Sequence, residues 1–364
     1  MNVSVLELPS VGTRPAAVRF ELVDRLESLR EEWTSLAEQG QNVFATWEFA
    51  STWWEHFGAG RRLVTVGCRA SSGELFAILP LYFWRRRPLR VLRFLGHGAG
   101  DILGPVCPPE RSDDAGQALR RLLEAAPWDW DVFVGENLRG EQDWPGLLAG
   151  HLIRREGNPV LRAPDGFEEF LARRSPNFRS AVRRGERRLA RRYHVRYRLS
   201  ESTTLDGDLK ALFRLHQARF GGQSAFGGDR TAFHRAFARQ AQERAWLRLW
   251  ILELDGRPVA AQYGFRFGGV ESFYQSGRDP ELRRESLGMV LLSHAIRSAA
   301  EEGVQEFALL RGHEPYKYRF ATDDRGLDSV CVTRGAAGAA ALAVMKAVRS
   351  SRAARKLLRR PLDM

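Results

Sequence analysis

The chain has 364 residues, of which 44% are hydrophobic and ten are tryptophan, so it has enough apolar material for two cores of ordinary size. Fifty-six lysines and arginines against 44 aspartates and glutamates give a net charge of +12, which predicts an anionic partner without naming it. Three widely spaced cysteines argue against a disulfide framework and a zinc knuckle. The N-terminus does not resemble a signal peptide and no apolar run has the length of a membrane span, so we expect a soluble, cytoplasmic protein.

Two segments of the chain resemble each other at a shift of about 183 residues. RLVTVGCRASSGELFAILPLYF, from Arg62 to Phe83, aligns with WLRLWILELDGRPVAAQYGFRF, from Trp246 to Phe267, and both predict a strand, a turn and a second strand. An amphipathic helix is predicted before each hairpin, in TWEFASTWWEHFG and DRTAFHRAFARQ, and an apolar strand after it, in VLRFLG and SFYQSG. Any α/β protein alternates in this way, but the agreement of four elements favours a duplicated α/β domain.

The two copies differ after this apolar strand. Beyond Gly96 the first copy continues into a loop with several prolines, HGAGDILGPVCPPERSDDAG, before a helix predicted near Gln117. Beyond Gly277 the second copy reaches its helix through the short segment RDPELRRESLG. A helix start beside the central strand is therefore predicted only in the second half.

An arginine-rich segment opens the second half. SPNFRSAVRRGERRLARRYHVRYR predicts a helix from Asn177 to Tyr193, about 25 Å long at roughly 1.5 Å per residue. One side is apolar, and six arginines cover much of the rest: Arg179, Arg183, Arg187, Arg188, Arg191 and Arg192. Such a run is usually a solvated face, and the alternative is a binding surface for phosphates or carboxylates.

A second helix is predicted from Leu287, where apolar residues recur at helical spacing. Ser286 is the predicted N-cap, and Gly288 places no side chain over the unpaired N–H groups of the first turn. Together with the helix dipole, Arg283 and Arg284 would favour a pyrophosphate here. Taken alone, the pattern fits equally well a capped surface helix with solvated arginines.

The segments FYQSGRDPELRRESLGMVLLSHAI and EEGVQEFALLRGHEPYKYRF resemble the C-terminal half of the BioF2-like or CelD-like GNAT acyltransferases, which are related to the FemABX transferases. The resemblance is strong from about Pro164 to Asp323 and weak from Phe20 to Gly150. It implies an α/β fold of tandem GNAT-like domains, each a mixed twisted sheet flanked by helices. The implied domains are a degenerate one over residues 1–160 and a transferase domain over residues 161–335.

In GNAT enzymes an Arg/Gln-x-x-Gly-x-Gly/Ala turn at a helix start binds the coenzyme A pyrophosphate. Arg283, Ser286 and Gly288 match its first, fourth and sixth places, with serine replacing the first glycine. The resemblance thus implies acyl-CoA as a cosubstrate and no permanently bound cofactor. The residues expected to bind it are Gln275, Ser276, Arg283, Arg284, Ser286, Leu287, Gly288 and Met289.

The turn around Gly312 and Pro315 follows a predicted strand, FALL, and carries the candidate catalytic groups His313, Glu314, Tyr316 and Lys317. Acyl transfer from a thioester to an amine needs a base, an oxyanion donor and a proton for the thiolate. Glu314 or His313 would be the base, and a tyrosine would protonate the thiolate. Lys317, which YKYRF aligns with the lysine of the FemABX Phe-Lys-x-x-Phe segment, would hold the oxyanion or an acceptor anion, or else only cap a helix.

No metal site is predicted at this turn, because His-Glu-x-x-Lys lacks a second histidine at helical spacing. The FemABX relatives carry a basic helix near the acceptor cleft, which implies an anionic small-molecule or carrier-linked acceptor. The residues predicted to bind this acceptor are Arg179, Arg183, Arg187, Trp53 and Asp101.

The first functional hypothesis is an acyl-CoA-dependent N-acyltransferase. One alternative keeps the fold and takes the acyl group from aminoacyl-tRNA, as FemABX enzymes do. The other is a non-enzymatic, basic nucleic-acid-binding protein on a GNAT scaffold, which lacks any recognised nucleic-acid-binding signature. The alanine-rich and basic tail, residues 336–364, predicts a helix that contacts an anionic membrane surface or a partner, or a loosely packed tail.

Overall fold

The computed structural model describes residues 4–6, 18–86, 88–125, 127–162 and 166–350, which form two mixed β-sheets flanked by helices. The elements of the first half are β1 (Ser4–Leu6), β2 (Arg19–Val23), α1 (Arg30–Gln39), α2 (Trp47–Phe57), β3 (Arg62–Arg69), β4 (Leu75–Arg86), β5 (Leu89–Phe94), α3 (Ser112–Ala125), β6 (Val132–Arg139), α4 (Trp144–Leu147) and β7 (His151–Glu156).

The second half continues with β8 (Pro159–Arg162), α5 (Phe167–Ala172), α6 (Pro176–Arg192), β9 (Val195–Leu199), α7 (Leu205–Phe220), α8 (Asp229–Glu243), β10 (Leu247–Leu254), β11 (Arg257–Phe267) and β12 (Val270–Arg278). After these come α9 (Leu287–Glu301), β13 (Glu306–Ala308), α10 (Pro315–Phe320), β14 (Asp323–Asp324), β15 (Leu327–Thr333) and α11 (Gly335–Ser350). Within the described residues no helix is both long and apolar enough to cross a membrane.

The duplicated layout predicted from the sequence is confirmed. The hairpin β3–β4 is repeated as β10–β11, each hairpin is followed by a third antiparallel strand, β5 or β12, and each third strand pairs in parallel with β6 or β13. Gly73 and Gly256, which the repeat aligns, both have positive φ, 91° and 79°, at the hairpin turns. A left-handed residue is needed there, and glycine adopts that conformation without strain.

Near the end of the chain, one strand of the predicted second domain joins the first sheet. The first sheet has the order β1-β2-β3-β4-β5-β6-β15-β7 and the second has the order β14-β8-β13-β12-β11-β10-β9. Residues 327–333 were assigned to the second domain, yet β15 lies between β6 and β7 and pairs antiparallel with both. Its residues Leu327, Val330 and Cys331 are buried there, which explains why sheet membership departs from the predicted boundary at residue 335. Helix α11 (Gly335–Ser350) covers residues 336–350 of the predicted tail, and residues 351–364 lie outside the described part.

One hydrophobic core joins the two halves. Phe49 on α2 packs edge-to-face against Phe233 and Phe237 on α8, with ring centroids 5.4 and 5.0 Å apart. Polar contacts cross the same interface, because the buried Glu48 accepts a hydrogen bond from Arg244 at 2.7 Å. The apolar contact fixes one half against the other, so loops from both halves can build a common site.

Candidate active site

The second sheet contains a gap between two strands. β12 and β13 pair in parallel only at Val270–Ser272 with Glu306–Ala308. The next residue, Leu309, donates its N–H to Pro159 O instead, and Leu310 has a left-handed backbone with φ of 56°. The chain therefore turns away while β12 runs on to Arg278, and this edge of β12 has no neighbouring strand in the described structure. Such an edge offers backbone N–H and C=O groups to an extended ligand.

Helix α9 begins beside the end of β12. Ser286 stands at the predicted N-cap position, but its backbone is left-handed, with φ of 55°, and its side chain makes no capping bond. Its carbonyl accepts from the N–H groups of Met289 and Val290, while the N–H groups of Leu287 and Gly288 have no backbone acceptor among the described residues. Two donors thus stay free at the positive end of a 15-residue helix.

Gly288 faces open space. A Cβ placed on it would meet only Arg278 Cδ, at 3.9 Å. Arg283 and Arg284 are exposed in the turn that precedes the helix. The sequence prediction of an anion-accessible helix start flanked by arginines agrees with this geometry, apart from the missing serine cap.

A groove of about 760 Å³ extends from this helix start along α6. It is lined by Ala181, Arg184, Gly185, Arg187, Arg188, Arg191, Arg192 and Ser286. Two of its arginines bind the buried carboxylate of Glu285, Arg188 at 2.9 Å and Arg192 at 2.7 Å. For Arg184, Arg187 and Arg191 the described structure contains no carboxylate within 4.0 Å. Arg187, which was assigned to the acceptor, therefore belongs to the surface that contains Ser286.

Three other residues predicted to bind the acceptor have different positions. Arg179 donates to the carbonyls of Ala172 and Arg174, and Arg183 lies 3.4 Å from Glu168, so both stabilise the start of α6. Trp53 is 1% exposed and donates its indole N–H to a carbonyl of the first half. Its burial excludes direct contact with an acceptor, because the aromatic residues of the first-half core cover the ring.

Gln275 and Ser276 lie on the unpaired edge of β12, as a donor site requires. Gln275 Oε1 is 3.2 Å from His216 Nε2, and Ser276 Oγ accepts from Arg219 at 3.3 Å. Burial lowers the pKa of His216 to about 4, so the neutral imidazole is a donor to Gln275. The sequence analysis missed His216 and Arg219, and their only signal was the glycine opposite: a Cβ on Gly277 would lie 2.4 Å from His216 N.

His313 is part of the scaffold of the turn. Its Nε2 accepts the N–H of Gly157 at 3.0 Å, and its Nδ1 lies 3.1 Å from Tyr318 Oη, which donates to Asp324 at 2.7 Å. Both ring nitrogens are engaged, so the predicted role of base does not fit His313. Among the described residues no group of histidine, cysteine and carboxylate side chains is arranged to hold a metal ion.

Lys317 is buried, and each of its three N–H donors has a partner. Its ammonium donates to Arg311 O at 2.6 Å and to Leu310 O at 3.4 Å, and it lies 3.1 Å from Glu314 Oε2. The lysine thus holds the left-handed turn at Leu310, and this geometry leaves no free proton for an oxyanion. Glu314 is exposed beside it.

Tyr316 packs against the gap from α10. Its ring is 6.4 Å from that of Phe273, edge to face, and its hydroxyl has no hydrogen-bond partner among the described residues. Burial raises the pKa of Tyr316 above its usual value, and the nearby Glu314 raises it further. The phenol therefore keeps its proton at neutral pH and is able to donate it.

Asp101 comes from the first half and meets the turn of the second. It is 5% exposed and lies 3.6 Å from Arg311 Nε, while the same nitrogen lies 3.5 Å from Glu156. Burial raises the pKa of Asp101, and the charges of Arg311 and Lys317 oppose this effect. Tyr274, on β12, donates its hydroxyl to Ala99 O two residues before Asp101. The structure thus brings Asp101 and Lys317 together, and it adds Arg311, which the sequence analysis did not single out.

Comparisons with known proteins concern the fold and the family resemblance. Residues 176–318 match a family model described as the acetyltransferase (GNAT) domain. FemX is similar in structure, with a TM-score of 0.61 and 10% identity over 84% of this chain and 96% of that chain. No curated protein matches the sequence.

Two further solved structures share the fold. The L-PGS from Bacillus licheniformis has a TM-score of 0.55 and 13% identity, over 88% of this chain and 95% of that chain. The C-terminal domain of a putative lysylphosphatidylglycerol synthetase from Agrobacterium fabrum has a TM-score of 0.54 and 12% identity, over 86% and 95%. The chain has the tandem GNAT-like fold of FemX, which confirms the predicted fold class, and the match of residues 176–318 to the GNAT domain model confirms the predicted resemblance.

Proposed function

We propose that this protein transfers an acyl group from acyl-CoA to an amine of an anionic acceptor, in the cytoplasm. The observation that carries the proposal is the unpaired edge of β12, which leads to the two free N–H groups at the start of α9. A donor with phosphates at one end and an extended, amide-bearing arm fits both features. The arginines of the α6 groove supply further positive charge at the phosphate end.

The side chains around the gap have separate roles in the proposed acyl transfer. Asp101 is the candidate base, because it is a buried carboxylate beside two cations and takes a proton from the acceptor amine. The amine nitrogen attacks the thioester carbonyl carbon, the carbon–sulfur bond breaks, and Tyr316 gives its proton to the thiolate. Arg311 orients Asp101, and Lys317 acts as a positioning residue that holds the turn carrying Arg311.

Calorimetric titration of coenzyme A tests the donor site. Gly288→Leu should lower the affinity at least tenfold, because the new side chain would lie over the free N–H groups. Gly207→Leu is the matched control, since Gly207 lies in the first turn of a different helix, α7, and a Cβ there meets no atom within 4 Å. Equal coenzyme A affinity in the wild type and Gly288→Leu would remove the proposal.

The α6 groove favours a second candidate, transfer from aminoacyl-tRNA. Three of its arginines have no carboxylate partner among the described residues, and they extend past the helix start along α6. An RNA backbone would use them all, and its affinity would fall steeply with salt. Filter binding of uncharged tRNA at low and high salt, beside the coenzyme A titration, separates the donors. Tight tRNA binding without coenzyme A binding would favour the second candidate over the first.

A further inference from the structure

A pocket in the first half lies outside the β12 gap. Its volume is about 370 Å³, within the range of small-molecule sites. Much of its wall is apolar and comes from α1, the loop after β5 and the start of α4: Leu36, Ala37, Ile102, Leu103, Val106 and Trp144. None of the residues predicted to bind a donor or an acceptor lines this pocket.

The pocket contains a cation that makes no close ion pair among the described residues, although the charges of Glu141 and Glu306 act on it from farther away. Arg139, at the end of β6, donates one N–H to Gly40 O at 2.6 Å, and no carboxylate of the described residues lies within 4.0 Å of its guanidinium. Burial lowers the pKa of Arg139, which indicates that its charge is poorly solvated. Glu141, another lining residue, has its carboxylate directed to Arg325 Nε at 3.4 Å. A half-buried guanidinium with free N–H groups beside an apolar wall is a carboxylate-binding arrangement.

Two further carboxylates lie at the rim of the pocket. Glu110 and Asp113 are exposed there, and the only polar contact of the Asp113 side chain within the described structure is a hydrogen bond from Gln142 at 2.9 Å. A plain fatty acid would use only Arg139, whereas a ligand that also has an amine would gain attraction from the two exposed carboxylates. A molecule with a carboxylate, an apolar body and an amine matches all three parts of the pocket.

We propose that this pocket binds a small amine-bearing carboxylate with an apolar body, held through its carboxylate by Arg139. Asn42, Ile102, Arg139 and Glu141 also line a smaller neighbouring pocket whose lining includes Leu310, and Ile102 follows Asp101 in the chain. The pocket is thus next to the candidate active site. A role for this ligand as the acyl acceptor rests on the proposed function. Binding of the ligand to the pocket does not rest on that function, so the test uses no acyl donor.

The binding test uses three probes with the same phenyl group. L-phenylalanine carries both charges, 3-phenylpropionate lacks the amine, and 2-phenylethylamine lacks the carboxylate. Calorimetry on the wild type should give the highest affinity for L-phenylalanine and the lowest for 2-phenylethylamine. Arg139→Gln should weaken L-phenylalanine at least tenfold and leave 2-phenylethylamine unchanged, since only the carboxylate contacts Arg139. Arg120→Gln, at an exposed arginine of α3 paired with Glu124, should change neither.

A second measurement needs no variant. Cys107 lines the pocket and is partly exposed, whereas Cys68 and Cys331 are fully buried. Burial raises the pKa of Cys107 to about 11, so alkylation by iodoacetamide is slow and its rate is easily followed by mass spectrometry. Saturating L-phenylalanine should slow alkylation at Cys107 severalfold, because it covers the thiol. An unchanged alkylation rate, absence of L-phenylalanine binding to the wild type, or equal affinity in Arg139→Gln overturns the proposal.

Discussion

The two halves share one layout, but the gap between the paired parallel strands is open in the second half and filled by a loop in the first. In the first half, β5 and β6 pair in parallel at Val91–Arg93 with Val132–Val134, as β12 and β13 do in the second. Here the following loop turns back at Gly96 and fills the gap, since Leu103 donates its N–H to Asn137 O at 3.1 Å. A Cβ on Gly100 would lie 2.6 Å from the Leu103 side chain, so the loop packs closely where it fills the gap.

The filling loop has a second effect, because it carries Asp101 to the turn of the other half. The second half thus has an open gap beside a helix start. The first half has a closed gap, and its loop places the Asp101 carboxylate beside Arg311 of the second half. After duplication, a site can be completed by the copy that has lost its own. The difference between the gaps is therefore the feature to test.

The largest effect is expected at Asp101. Asp101→Asn removes the candidate base and should lower kcat about 10²- to 10⁴-fold, measured as thiol release from acetyl-CoA with amino acids as acceptors. Because burial raises the pKa of Asp101, the wild-type rate should increase with pH as this carboxyl loses its proton. Asp129→Asn, at a carboxylate that is 86% exposed, should leave the rate unchanged. A fully active Asp101→Asn enzyme would mean that the closed half contributes no chemistry.

The next effect concerns the interface between the halves. Phe49→Ala leaves a cavity against Phe233 and Phe237 and should lower the free energy of unfolding by about 3–5 kcal/mol. Urea denaturation followed by fluorescence and circular dichroism should show one transition, moved as a whole. Phe220→Ala, at a ring 38% exposed, should change stability far less. A second transition unaffected by Phe49→Ala would show that the halves unfold independently.

The two halves contain titratable groups that should lower the protein's stability in different ranges of acidic pH. In the second half, burial lowers the pKa of His234 to about 3 in the folded protein, whereas its usual value is 6.5. Below pH 6.5 the unfolded chain therefore binds a proton that the folded protein does not, and stability falls as the pH falls. In the first half, the pKa of Glu136 is lowered to about 2; burial opposes the shift, and His97 and Arg93 outweigh it. Its contribution is lost only below pH 4.5, the usual value for a glutamate.

His234→Phe should therefore reduce the stability loss between pH 7 and pH 5 by about 2 kcal/mol, as urea denaturation at the two pH values would measure. The phenyl ring fits among Phe226, Phe233 and Tyr263, which already surround the imidazole. His194→Phe, at an exposed histidine, is the matched control. An identical pH dependence in His234→Phe and the wild type would contradict the expected neutral state of His234.

The smallest effect distinguishes two arginines of α6. Arg187→Gln should weaken coenzyme A about 3- to 10-fold at low salt, because Arg187 lines the groove next to Ser286. Arg183→Gln should have no effect, since Arg183 pairs with Glu168 outside that groove. Calorimetry in 1 M salt should remove the difference. Equal losses for both variants would indicate general attraction to the basic helix rather than a site at the open gap.

The sequence predicts local features of this fold well, and it misses contacts between distant segments. Hairpins, helix starts and the duplication follow from periodicity and glycine positions, as Gly73 and Gly256 show. The approach of Asp101 to Arg311 joins loops about 210 residues apart, and no local pattern encodes it. Lys317 stands in the predicted turn, but whether its ammonium faces an oxyanion or its own backbone depends on the left-handed residue Leu310, which a sequence pattern does not reveal.

The insertion of β15 between β6 and β7 affects how the protein must fold during synthesis. The first sheet contains strands made early, yet the strand that joins β6 to β7 is made only after the whole second sheet. The first half therefore leaves the ribosome with one edge of β6 and both edges of β7 unpaired, and it completes its sheet after Thr333 has emerged. Release of an incomplete chain that ends before Leu327 would leave these edges open to aggregation, so β15 protects the sheet of the first half.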